Sequence, residues 1–102
     1  GLWLKLAQQA NENATYLSNE LSKFEDFILL YPTQGNEVFL RINKKTYKKI
    51  LELNIIPNLW RKTGYDEIEV RFVTSFETEL SMIDEIIDRF KTCFSYQLEP
   101  II

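Results

Sequence analysis

The chain contains no histidine, so the commonest general base near neutral pH and the commonest zinc ligand are both missing. Hydrolytic triads and ordinary zinc sites are excluded with it. A single cysteine, Cys93, permits no internal disulfide and fits a reducing compartment. Its three glycines, Gly1, Gly35 and Gly64, stand too far apart to form a phosphate-cradling loop. Basic residues are outnumbered: 12 lysines and arginines against 15 acids leave a net charge of −3, which disfavours nucleic acid or an anionic membrane as the main partner. There is no long hydrophobic run of membrane-spanning length and no signal-peptide pattern, so the expected location is cytoplasmic. What remains is 102 residues, 45% hydrophobic and 26% charged, the proportions of one soluble domain, with little sign of a self-contained enzyme.

The most informative stretch is Ile68-Glu-Val-Arg-Phe-Val-Thr-Ser-Phe76. Ile68, Val70 and Phe72 fall on one face of a strand, and Glu69, Arg71 and Val73 fall on the other. Arg71 is the best functional candidate, because its guanidinium is a rigid fork suited to a carboxylate or phosphate and a strand holds it in place. The competing reading is a surface ion pair with Glu69 or Glu67.

From the start, Leu6, Ala10, Ala14, Leu17, Leu21 and Phe24 mark one stripe of a long amphipathic helix spanning Leu2 to Phe24. No capping residue precedes it, and Leu2, Trp3 and Leu4 add apolar bulk beside the stripe. The chain thus reads as a piece of a longer protein, unless those three side chains tuck into its own core. Phe27 to Tyr31 and Glu37 to Ile42 read as two strands joined through Pro32 and the turn residues Gln34, Gly35 and Asn36.

Asn43 can cap a helix running to about Leu53, with Tyr47, Ile50 and Leu51 inward, Lys44, Lys45, Lys48 and Lys49 in water, and Asn54 as its end. Ile55 to Trp60, broken by Pro57, reads as an edge strand, and Arg61 to Glu67 as a turn. Thr78 is placed to cap a last helix with the stripe Ile83, Ile86, Ile87, Phe90 and Phe94, beside which Cys93 reads as filler rather than nucleophile. Ser95 to Ile102 reads as irregular. The resulting fold class is α+β in two layers: an antiparallel or mixed sheet of three to four strands with helices packed on one face. Its uncovered face would hold Phe39, Arg41, Glu69, Arg71 and Val73, a mixed surface suited to docking another domain or subunit.

Three segments carry a likeness to a known family: Gly1-Leu2-Trp3-Leu4, Tyr31-Pro32-x-x-x-Asn36-x-Val38-Phe39, and Val70-Arg71-Phe72-Val73-Thr74-Ser75-Phe76. In this order they resemble the C-terminal small domain of the low-specificity threonine aldolases, lyases of the aspartate-aminotransferase fold type that use pyridoxal phosphate. The likeness runs from Gly1 to about Phe90, and the Val-Arg-x-Val-Thr-Ser segment is its most specific part. It implies that residues 1–102 are one small domain, that Arg71 binds the carboxylate of an amino-acid substrate, and that the partners are the protein's own large domain and sister subunits. It also implies that the family's cofactor-bearing lysine, phosphate-binding loop and ring-stacking histidine lie outside this chain, which alone should be inactive. Phe76 stands where family members often carry Trp. Trp60 lies near an aromatic of the family and is read as packing on the sheet. Two alternatives stay open: a stand-alone α+β interaction module, and the small domain of another lyase or aminotransferase of the same fold type.

Overall fold

The computed structural model describes residues 1–31 and 35–98, with the side chain of Trp60 left aside. Pro32 and Gln34 of the first turn, the end of the tail past Leu98, and the packing expected of Trp60 therefore lie outside the described residues.

Helix α1, Leu2–Leu21, buries the stripe that its sequence predicts: Ala10, Ala14, Leu17 and Leu21 are buried and Leu6 half-buried. It ends three residues before Phe24, which stays in the core and bridges to Tyr96 across an isolated antiparallel pair. Leu2, Trp3 and Leu4 do not tuck into the core, Trp3 being 86% exposed. A buried polar residue fixes the helix along its length. The Asn13 amide donates to the carbonyls of Ser75 (3.0 Å) and Thr78 (2.6 Å), and the Thr74 hydroxyl donates to the Ala10 carbonyl at 2.6 Å. Three backbone carbonyls are thereby satisfied by buried donors, which pins α1 to the segment following the last strand.

Four strands, β1 (Ile28–Leu29), β2 (Glu37–Asn43), β3 (Asn58–Lys62) and β4 (Glu67–Val73), pair antiparallel in the order β1-β2-β4-β3. Gly35, at φ 75, supplies the left-handed residue that the turn into β2 needs. On the face toward the helices, β2 contributes Val38, Leu40 and Ile42 and β4 contributes Ile68, Val70 and Phe72, all buried. Each such side chain contributes roughly 1.5–3 kcal/mol relative to exposure. Helix α2, Lys44–Glu52, is capped by the Asn43 side chain, which accepts from the Thr46 amide at 2.7 Å, and it closes on Asn54 at φ 62. Helix α3, Leu80–Lys91, places Ile83, Ile87 and Phe90 in the core. There Phe90 meets Phe24, Phe27, Phe72 and Phe94 edge to face, at centroid distances of 5.0 to 6.4 Å. Tyr16 of α1 donates to the Asp84 carboxylate of α3. That bond, reinforced by burial, pushes the phenol up to about 12.

The two-layer α+β class and the element order therefore hold, with a sheet of four antiparallel strands among the described residues. Several local expectations are corrected. The edge strand begins at Asn58 rather than Ile55, because Ile55 and Pro57 are buried and a proline cannot donate to the ladder. Arg61 and Lys62 belong to that strand and not to the turn. In α2 it is Thr46 that is buried beside Ile50, while Leu51 faces outward. The cap of α3 is Glu79; the Thr78 hydroxyl instead accepts from the Ser75 amide at 3.0 Å and closes the preceding turn. Cys93 is exposed and fills nothing. The start of the tail is irregular, as expected, and is held by the Tyr96 bridge and by the Gln97 amide, which donates to the Lys23 carbonyl at 2.8 Å. Among the described residues, no helix is long and apolar enough to cross a membrane.

Candidate functional site

The helix-free face of the sheet is set by register. Phe39 lies directly opposite Arg71, Arg41 opposite Glu69, and Glu37 opposite Val73, so the five residues expected on this face do share it. On the other side of β4, Asn58 lies opposite Arg71 and Arg61 opposite Glu69, with a bulge between Leu59 and Arg61. Glu37, Asn58, Arg61 and Glu67 thus join the face; Glu37 shares the alternation of Phe39 and Arg41 and Glu67 that of Glu69 and Arg71 in the sequence, whereas Asn58 and Arg61 are not expected there. Arg61 is not expected there because its segment reads as a turn, and the pairing of Glu37 with Arg71 is not expected because cross-strand diagonals are invisible until register is known.

Three arginines and three glutamates interleave on this surface. Glu69 is 2% exposed, and its carboxylate is gripped by Arg61, through Nε at 2.5 Å and Nη2 at 3.4 Å. The Glu69 hydrogen bond, ahead of its charge, raises the Arg61 pKa, and the Tyr31 hydroxyl adds to this. The Tyr31 ring stands edge-on to Phe39 at 5.4 Å and 78°. Arg41 meets Glu67 at 3.5 Å beside a shallow recess of about 260 Å³ that Glu25, Asp26 and Ile28 also line.

Arg71 pairs with Glu37, Nη1 to Oε1 at 3.2 Å, at side-chain exposures of 29% and 39%. The expected ion pair with Glu69 or Glu67 is not formed, since Glu69 is held by Arg61 and Glu67 by Arg41. The two arginine sites on β4's flanks are thus different in kind. Arg61 grips a buried carboxylate with two nitrogens, whereas Arg71 touches a half-exposed one through Nη1. An arginine held on a strand between Phe39 and Asn58, with a partner on the surface, can receive a carboxylate or phosphate from outside.

Acid-base chemistry has no comparable footing here. Lys5 and Lys62 are exposed, and Lys23 is ion-paired with Glu20 at 2.6 Å, an interaction that raises its pKa. A lysine that forms a Schiff base needs the opposite, a desolvated and lowered pKa. These residues therefore do not fit the role of holding pyridoxal phosphate, and no step through that cofactor is assigned to them.

Neither protein-family models nor curated proteins give a match to the chain. Among solved structures, the threonine aldolase of Leishmania major is similar over 89% of this chain, with a TM-score of 0.75 and 22% sequence identity. The chain spans 26% of that protein's length. At this identity the likeness establishes the fold: a small α+β domain of the kind found in that threonine aldolase.

Proposed function

We propose that this chain is the C-terminal small domain of a threonine aldolase that uses pyridoxal phosphate and cleaves threonine-like β-hydroxy amino acids to glycine and an aldehyde. The carrying observation is Arg71, fixed on β4 between Phe39 and Asn58 on the helix-free face of a sheet whose fold is similar to that of a threonine aldolase. In this reading Arg71 takes both oxygens of the substrate carboxylate and holds the substrate in one orientation, contributing no acid-base step. Pyridoxal phosphate, held by the large domain, supplies the electron sink for the bond cleavage. The mixed face, with Val73 and Phe76 half-exposed beside it, packs against that domain or a sister subunit of a cytoplasmic oligomer.

Two other readings share the fold. Substrate choice rests largely on residues outside this chain, so the small domain of another lyase or aminotransferase of the same fold type would look similar. A stand-alone interaction module finds support in the shallow cleft of about 260 Å³ lined by Trp3, Leu6, Ala7, Ala10, Asn36, Ser75 and Phe76.

An assay separates them. The intact protein should release glycine and acetaldehyde from threonine, while the chain alone should release neither and should yield no stoichiometric lysine adduct after pyridoxal phosphate and borohydride. An intact protein inert toward threonine but active in transamination would move the assignment to the aminotransferases. A single trapped lysine in the isolated chain would contradict the division of labour between domains.

A further inference from the structure

The partner of Arg71 carries an inference that rests on the carboxylate-binding reading and deepens it. Glu37 is the first residue of β2, and its backbone position is fixed by its neighbours. The Asn36 amide donates to the Thr74 carbonyl at 2.8 Å, and the Thr74 backbone amide donates to the Asn36 carbonyl at 2.9 Å. From there the Glu37 side chain crosses diagonally, past its direct partner Val73, to Arg71. Its contact runs through Nη1 at 3.2 Å, and the carboxylate is 39% exposed. By contrast the carboxylate of Glu69, two residues from Arg71 along β4, is buried and held by two nitrogens. A half-exposed pair of this kind is screened and weak enough to exchange partners, while a doubly bonded buried one is not.

We propose that Glu37 is a specificity-determining residue for the Arg71 site: it occupies the arginine as an internal carboxylate that the ligand must displace. Its effect is a threshold. A carboxylate able to take both arms of the guanidinium displaces Glu37, and one offering a single oxygen gains little over the contact already present. Glu37 also keeps the arginine neutralised on the face that meets the next domain, which limits capture of stray anions.

Acetate titration of the chain at constant ionic strength, followed by the backbone amide resonances of Phe39 and Asn58, tests this. Glu37→Gln keeps the shape and removes the competing charge, so it should bind acetate about three- to fivefold more tightly than the parent chain. Glu37→Asp, too short to reach Arg71 in the same geometry, should behave like Glu37→Gln and serves if the glutamine variant does not fold. Arg71→Met should abolish the response in either background. If Glu37→Gln and Glu37→Asp bind acetate no better than the parent while Arg71→Met loses it, Glu37 does not compete and the proposal falls, with the Arg71 site intact. If no variant or parent shows an Arg71-dependent response, the carboxylate-binding reading falls and takes the proposal with it.

Discussion

On the proposed function, Arg71→Lys in the intact protein should lower kcat/KM for threonine cleavage by on the order of a hundredfold or more. The substitution keeps the positive charge and much of the aliphatic stem but loses the fork. A bidentate arginine and carboxylate pair orients the substrate and is shielded from water between domains, conditions under which it contributes a few kcal/mol. Folding should hardly notice. The ion pair with Glu37 that is lost joins side chains 29% and 39% exposed, and such pairs contribute at most about 1 kcal/mol. Cofactor absorbance should likewise be unchanged, because the proposal gives the cofactor to the large domain and no step on it to Arg71. Steady-state kinetics, an absorbance spectrum and a melting curve on one preparation decide the matter. Activity within about threefold of the parent enzyme, which corresponds to roughly 0.6 kcal/mol, would reduce Arg71 to a surface ion pair. Lost activity together with a large fall in Tm would make it a structural residue of the interface.

The second large effect is expected at Glu69, and it is one of stability. Its carboxylate is 2% exposed on the side of the sheet that carries no helix, and the Arg61 guanidinium, 58% exposed, supplies its two hydrogen bonds. Removing one partner of such a pair leaves a carboxylate out of water without donors, whereas replacing both by apolar groups of similar size does not. Arg61→Met should therefore lower Tm by on the order of 5 °C or more. The double replacement Arg61→Met with Glu69→Leu should recover most of that loss, and Glu69→Gln, which can still accept from Arg61, should fall between. Thermal unfolding of the four proteins checks the order. An Arg61→Met variant melting with the parent chain would mean that Arg41, directly opposite Glu69, takes over the carboxylate.

How much of this was legible in the sequence depended on whether the signal was local. The alternation in Ile68 to Val73 and in Glu37 to Ile42 assigned those side chains of β4 and β2 to their faces, because a strand's period is two wherever it pairs. The stripe of α1 and the Asn43 cap of α2 were local in the same sense. The pairing of charges was not. Arg71 finds Glu37 and Glu69 finds Arg61 through the register of three strands, and one of those strands was displaced in the sequence reading by taking Ile55 as its start. Two polar residues were also silent beforehand. Asn13 sits within an apolar stripe, where its amide is needed by the carbonyls of Ser75 and Thr78, residues more than sixty positions away. Thr78 carries the side chain of a helix cap yet spends it on the turn before the helix. A polar residue on the buried side of a helix was the one available hint of the first.

The most direct measurement of the proposed role of Arg71 is a structure of the intact protein with glycine bound. Both oxygens of the glycine carboxylate should lie about 2.7–2.9 Å from nitrogens of Arg71, with the Glu37 carboxylate displaced from Nη1. A glycine carboxylate held by another cation, with Arg71 still paired to Glu37, would contradict the account.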